Sequence, residues 1–141
     1  MSDQALYPVK GNIRGLERIV VSWQATLGAN PDPDTIVGKG VTSVTWVSDG
    51  KWKVTFSQPF KRILTQTGSA SAANSPAGTS YRCIVTDADK LLPGNATYYC
   101  HVQYQEDANG DGTWLNVDVD CDSTEHVGMI LDVLDTTEMD R

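Results

Sequence analysis

The stretch that decides the fold is VTSVTWVSDGKWKVTFS, residues 41–57. Apolar and polar residues alternate on both sides of an Asp-Gly pair at positions 49 and 50. A period of two is typical of a strand with one buried face, and Asp-Gly supplies the positive φ of a tight turn. The stretch therefore predicts a β-hairpin whose apolar face packs its aromatic side chains into the core. The apolar positions of that face are Val44, Trp46, Trp52, Val54 and Phe56.

Turn-forming residues separate further segments of strand character on both sides of the hairpin. These segments are 16–27, a weak strand after residue 64, and 81–87, 96–105, 113–121 and 126–134. Residues 58–64 break the alternation at Pro59 and predict a turn or a single helical turn. With about eight strands and no long helical period, we expect an all-β fold, an antiparallel β-sandwich or β-barrel. We assign residues 1–15 to an extended N-terminal arm and residues 16–141 to a single β domain.

Charge is distributed unevenly along the chain. Residues 1–62 contain 8 Lys and Arg against 5 Asp and Glu, whereas residues 63–141 contain 3 against 13. The net charge of −7 argues against binding to nucleic acid through its phosphates, because that mode needs clustered cations. The basic first part is suited to an acidic protein partner, and the acidic second part is suited to facing solvent.

The apolar runs are far shorter than a membrane span, and residues 1–10 lack the apolar segment of a signal peptide. We therefore expect a soluble protein that is made in a cytoplasm and does not contact a membrane. Cys83, Cys100 and Cys121 form an odd set without C-x-x-C spacing. This pattern predicts free, mostly buried thiols and favours neither a zinc site nor a disulfide framework.

The segment DANGDGTWLNVD, residues 107–118, has almost the spacing of an EF-hand calcium loop. Its flanks have strand character, whereas an EF-hand loop lies between helices, so the pattern favours a hairpin turn with solvated acids. A calcium site and a weak surface cation contact are the alternatives. The candidate ligands in that case are Asp107, Asn109, Asp111 and Asp118.

No catalytic motif is evident in the sequence. His101 and His126 lie in predicted strands, away from any nucleophile or metal motif, which favours structural or surface roles. Glu106, Asp107 and Asp111 offer carboxylates of the kind that a glycosidase uses, but an acid-rich turn accounts for the same residues. We expect no catalytic residues, no cofactor and no enzymatic activity.

Residues 38–73, about a quarter of the chain, resemble a recurring pattern in virion structural proteins of tailed bacteriophages. The pattern is a strand of the form G-V-x-S-V-T, a turn, a strand of the form Y-x-V-T-L, and an aromatic-x-x-L-L segment leading into a small-residue strand. Trp46 and Trp52 depart from it, the first where a small or charged residue is more usual. The matching residues are Val41, Ser43, Val44, Thr45, Trp52, Val54, Thr55, Phe56, Phe60, Ile63 and Leu64.

The resemblance implies a capsid decoration (cement) protein without catalysis. Such proteins lie on the outside of the shell, often as trimers, and bridge neighbouring subunits of the major capsid protein. The implied location is the virion, after synthesis in the host cytoplasm. The alternative is a tail-fibre, tail-tip or receptor-binding module, which would bind cell-surface sugars through exposed loops such as residues 74–80.

The N-terminal arm is our candidate for the segment that binds the capsid. Residues 1–14 contain Pro8 and Gly11 and show no sustained periodicity, which predicts an extended conformation. Its apolar side chains are available as anchors, and basic residues lie close to them. The predicted partner-binding residues are Leu6, Tyr7, Pro8, Val9, Lys10, Ile13, Arg14 and Arg18.

Overall fold

The computed structural model describes residues 16–24, 34–71, 79–117 and 126–134. These residues form nine β-strands and one short 3₁₀ helix, which confirms the predicted all-β class. The strands are β1 (Leu16–Gln24), β2 (Asp34–Val37), β3 (Val41–Ser48), β4 (Lys51–Phe56), β5 (Arg62–Ser71), β6 (Ser80–Thr86), β7 (Tyr98–Asp107), β8 (Leu115–Asn116) and β9 (His126–Leu134). The 3₁₀ helix is Ala88–Leu91, between β6 and β7.

Two antiparallel sheets pack against each other, so the fold is a β-sandwich and not a closed barrel. The four-stranded sheet has the order β2-β1-β9-β5. The five-stranded sheet has the order β3-β4-β7-β6, and β8 pairs with β7 beyond Lys51, the first residue of β4.

The hairpin predicted at residues 41–57 is present as β3 and β4. Trp52, Val54 and Phe56 of β4 are buried, and Trp46 packs against the core from β3. Gly50 has φ of 65°, and its carbonyl oxygen accepts a hydrogen bond of 2.7 Å from the backbone N–H of Tyr104 in β7. The turn therefore closes the hairpin and also joins it to β7, the neighbour of β4 in the sheet.

The core lies between the sheets and is aromatic at its centre. Trp23 of β1 and Trp52 of β4 are almost completely buried, with ring centroids 5.9 Å apart. Neither indole N–H has a hydrogen-bond partner among the described residues. Cys100 Sγ lies 3.4 Å from Met129 Sδ across the same interface. Tight packing of large side chains from both sheets is therefore what joins the two layers.

The segment before β5 differs from the prediction. The turn expected over residues 58–64 is shorter, because β5 already begins at Arg62. Phe60 N–H donates to the Leu91 carbonyl at 3.0 Å, and Lys61 N–H donates to the Leu134 carbonyl at 2.8 Å. These two bonds, made to residues distant in sequence, fix the backbone directly before β5, where the sequence pattern alone favours a longer turn.

Other differences concern short or partly described elements. Strand β2 was not predicted, since a four-residue edge strand gives little periodicity. The strand predicted at 113–121 is described only as β8, because residues 118–125 lie outside the described residues. The arm (1–15), residues 25–33 and residues 72–78 lie outside them as well, and the last of these ranges includes residues 74–78 of the predicted loop 74–80.

Candidate binding surfaces

The outer face of the four-stranded sheet has an apolar centre. Strand β1 points Ile19, Val21 and Trp23 into the core, so Val20 points outward and is 52% exposed. Val20 pairs with Ile130 of β9. Val37 of β2 lies diagonally next to Val20 and is 60% exposed. We call Val20, Val37 and Ile130 the apolar face.

An ion pair borders the apolar face on one side. Arg18 Nε and Nη2 donate to the two carboxylate oxygens of Asp132, at 2.9 and 3.0 Å, and Thr65 Oγ1 donates to the same carboxylate at 3.0 Å. The hydrogen bond from Arg18 is the main reason that the pKa of Asp132 is below its ordinary value. Arg18 is therefore held in a fixed orientation at the rim of the face.

A shallow depression of about 270 Å³ lies on the same side of the sheet, and Val20 and Ile130 of the apolar face are among its lining residues. The lining also includes Ser22 and Ser69, and Gly128, which has no side chain, pairs with Ser22 of β1 and with Ser69 of β5. Ser69 Oγ lies 3.1 Å from His126 Nε2 on its wall. Among the described residues no carboxylate contacts the other nitrogen of His126. The described part of the chain therefore supplies no third group of the kind that orients histidine in a nucleophilic triad.

Of the predicted partner-binding residues, only Arg18 is described. The other seven belong to residues 1–15, outside the described residues. Strand β1 starts at Leu16, and Leu16 and Arg62 both pair with Leu134 at the end of β9. The arm therefore joins the sandwich at the four-stranded sheet, two residues before Arg18.

The outer face of the five-stranded sheet is polar and aromatic. Lys53 Nζ lies 4.4 Å from the centroid of the Tyr99 ring. The guanidinium of Arg82 lies 4.3 Å from the centroid of the Trp114 ring, and its Nε donates to Gln105 Oε1 at 2.8 Å. These contacts fix two cations over aromatic rings on one side of the molecule.

A histidine–carboxylate contact lies at the end of this polar face. His101 Nδ1 is 2.7 Å from Asp87 Oδ2, and the His101 ring meets the Tyr99 ring edge-on at 5.4 Å. On the same face Gln103 Nε2 donates to Thr86 Oγ1 at 2.9 Å. Both predicted structural or surface histidines are thus engaged by neighbouring polar side chains.

The acidic turn at residues 107–112 joins two strands, β7 and β8. Asp107 is buried, and its carboxylate accepts the backbone N–H groups of Asp111 and Gly112, at 3.2 and 2.9 Å. Asp111 Oδ1 in turn accepts the N–H of Thr113 at 2.9 Å. The carboxylates of this turn therefore bind backbone donors, as in other Asx-containing turns. Asp118, the last candidate calcium ligand, lies outside the described residues.

Of the candidate catalytic acids, Asp107 and Asp111 contact each other within the turn, and Glu106 contacts Tyr81. Burial and, after it, a hydrogen bond with Glu106 raise the pKa of Tyr81, while Asp107 caps the turn.

In residues 16–24, 34–71, 79–117 and 126–134, no three His, Cys, Asp or Glu side chains gather where they would hold a metal ion. The same ranges contain no helix with the length and apolar character that crossing a membrane requires.

Two of the three cysteines are described, and both are free, as predicted. Burial raises the pKa of Cys83 to about 11 and that of Cys100 to about 12. Neither thiol is therefore activated as a nucleophile near neutral pH.

No family model, curated protein or solved structure matches this chain. Its function has therefore to be inferred from the two outer faces of the sandwich and from the resemblance of the β3–β4 hairpin.

Neither of the two outer faces was predicted from the sequence. The apolar face had a signal: Ile19-Val20-Val21 and Met129-Ile130-Leu131 are continuous apolar runs, so each strand has an apolar residue on its outward side as well. The polar face had no such signal in the sequence, because its contacts join residues from β4, β6, β7 and the segment before β8.

Proposed function

We propose that this chain is a non-enzymatic virion structural protein that binds the outside of a phage capsid and stabilises the shell. Its partner in this proposal is the major capsid protein, and it acts as a homo-oligomer, in the form of a trimer. The apolar face beside the origin of the arm is the observation that carries the proposal. The likeness of residues 38–73 to phage virion proteins supports it.

The apolar face has the composition of a binding surface. One face of an antiparallel sheet in a sandwich usually carries polar side chains to solvent, yet Val20 and Val37 are both more than half exposed. Contiguous exposed apolar residues on a folded domain mark interaction sites. The Arg18–Asp132 pair and the Ser69–His126 pair surround them with polar groups, as in protein interfaces with an apolar centre and a polar rim.

The arm enlarges this surface on docking. Ordering one residue of a flexible segment costs about 1–2 kcal/mol, whereas burying one large apolar side chain returns about 1.5–3 kcal/mol. An arm with Leu6, Tyr7, Val9 and Ile13 has enough apolar side chains to offset much of its ordering cost. Arg18, held at the rim by Asp132, lies in sequence between the arm and Val20 of the apolar face.

Binding to an assembled shell stabilises that shell by mass action. A ligand that binds the assembled lattice and not free subunits shifts the equilibrium towards assembly, by an amount that grows with its concentration over Kd. No bond is made or broken in this role, so it needs no catalytic residues.

The test is addition of the purified protein to shells of the major capsid protein that lack it, measured by co-sedimentation. We expect Val20→Lys to weaken binding by about tenfold or more, since docking would bury the new charge. Thr45→Lys is the matched control, because it adds the same charge at an exposed position of the opposite sheet. Equal binding by Val20→Lys and Thr45→Lys would exclude the apolar face as the docking surface.

Deletion of residues 1–14 tests the arm separately. We expect the truncated protein to keep nearly the melting temperature of the full chain and to lose its addition to shells. Undiminished addition would contradict the role of the arm. A full-length protein that binds host envelope sugars and never shells would replace the decoration role with that of a receptor-binding module.

A further inference from the structure

The outer face of the five-stranded sheet carries three cations, two of which are held by neighbouring side chains. Strand β4 points Trp52, Val54 and Phe56 into the core, so Lys51 and Lys53 point outward, on the same side as Arg82 of β6. We call Lys51, Lys53 and Arg82, with the side chains that hold them, the cationic face.

Aromatic rings and an amide hold Lys53 and Arg82, and no carboxylate among the described residues pairs with any of the three cations. Lys53 lies over Tyr99, and Arg82 lies over Trp114 with its Nε bonded to Gln105. Within the described part of the chain, none of the three cations forms an ion pair. The two terminal nitrogens of Arg82 have no protein acceptor there either. A guanidinium fixed in this way presents a ready fork of N–H donors to a carboxylate.

Hydrogen bonds also fix the amide side chains of this face. Gln105 accepts from Arg82 and donates from Nε2 to Asn116 Oδ1 at 2.9 Å, which fixes the orientation of its side chain. Asp87 is the acid at the edge of the face, and its carboxylate is in contact with His101. Among the described residues, the outward side chains of this face therefore carry a net positive charge, although the whole chain carries a net charge of −7.

We propose that the cationic face is a second docking surface, and that its partner is an extended acidic polypeptide segment. Charge complementarity selects an anionic partner. Lys51 and Lys53 are two residues apart on one strand, about 7 Å, which is also the separation of alternate side chains in an extended peptide. Carboxylates at alternate positions of such a peptide match the two lysines, and Arg82 is placed to bind a further carboxylate.

A nucleic acid is a poorer match for this surface. Binding through phosphates needs many cations along a continuous track, whereas three are present here on a chain of net negative charge. The proposal goes beyond capsid attachment, which involves the opposite sheet. Each of the two can fail without the other.

The test uses the full-length chain and a fluorescent peptide of ten residues in which Glu and Thr alternate. A second peptide of the same composition carries its glutamates in one block, and oligo-dT and heparin serve as the nucleic-acid and sulfated-sugar probes. We expect saturable binding of the alternating peptide, weaker binding of the block peptide, and still weaker binding of oligo-dT and heparin, by fluorescence anisotropy. Raising NaCl from low to high concentration should weaken the peptide complex, since exposed charges are screened.

Variants assign the binding to the cationic face. We expect Arg82→Gln to weaken peptide binding by about five- to tenfold, and Arg82→Lys to weaken it less, because lysine keeps the charge but loses the fork. Arg62→Gln is the control, since it removes an exposed cation from β5 of the other sheet. Arg82 is exposed, and matching circular dichroism spectra verify that each variant is folded.

Three outcomes would overturn the proposal. The first is an alternating peptide that does not bind at low salt. The second is an equal loss of binding in Arg62→Gln and Arg82→Gln, which would indicate general charge attraction. The third is tighter binding of oligo-dT or heparin, with the same dependence on Arg82, which would assign the face to a different class of partner.

Discussion

Substitution of Gly50 by alanine tests the packing of the hairpin that decides the fold. Gly50 has φ of 65°, a left-handed conformation that costs other residues roughly 1–2 kcal/mol. A Cβ placed on residue 50 would lie 2.6 Å from the carbonyl oxygen of Tyr104 and closer still to that of Val117. Ordinary contact begins near 3.4 Å, so the surrounding backbone has to move.

The movement weakens two hydrogen bonds that join β4, β7 and the end of β8. Tyr104 N–H donates to Gly50 O at 2.7 Å, and Val117 N–H donates to Tyr104 O at 3.0 Å. Leaving a buried backbone group without its partner costs about 1–3 kcal/mol. Together with the cost of φ, we expect Gly50→Ala to lower the free energy of unfolding by about 4 kcal/mol. That is a large part of the roughly 5–15 kcal/mol that stabilises a typical domain.

Gly112→Ala is the matched control, since Gly112 has φ of 86° and no atom within 4 Å of the position that a Cβ would take. Gly112→Ala should therefore lower the free energy of unfolding only by the cost of the left-handed conformation, about 1 kcal/mol. Urea denaturation followed by tryptophan fluorescence measures both variants. If the two lose the same stability within about 0.5 kcal/mol, the close approach of the turn to Tyr104 and Val117 is refuted.

Three further predictions concern single side chains. Native Cys83 and Cys100 should resist iodoacetamide at pH 8 and react after denaturation, because their raised pKa values leave little thiolate; mass spectrometry that detects rapid native labelling of either would contradict this. Because the pKa of Asp132 is lowered in the folded state, this carboxylate stabilises the fold at pH values above its ordinary pKa of about 3.9. That stabilisation is lost as the pH falls through the folded pKa, so the free energy of unfolding of Asp132→Asn should depend less on pH in the acid range. Asp107→Ala should lower the free energy of unfolding by about 2 kcal/mol in urea titrations with EDTA, as two backbone N–H groups lose their acceptor; an unchanged midpoint would contradict the capping role.

The hairpin could be predicted because its signals are local. Alternation and an Asp-Gly turn specify β3, β4 and their buried side without reference to the rest of the chain. The length of β5 could not be predicted, because bonds from Phe60 and Lys61 to Leu91 and Leu134 set its start. These partners are about 30 or more residues away in sequence.

The apolar face and the cationic face also differ in how far the sequence alone predicts them. Val20 and Ile130 stand out as extra apolar residues in strands that already have a complete inward face. The position of Arg82 over Trp114, by contrast, depends on the pairing of β6 and β8 with β7. Sequence periodicity assigns a side chain to one face of a strand, and only strand register brings it next to its neighbours.

The measurement that tests the proposed capsid role most directly is the copy number of this protein in purified phage particles, by quantitative mass spectrometry. A decoration protein that covers the shell should be present in a fixed ratio to the major capsid protein, in many copies per particle. We predict such a ratio, and its loss in virions that carry the Val20→Lys variant. A few copies per particle that remain with the tail after the head is disrupted, or none at all, would contradict the proposed function.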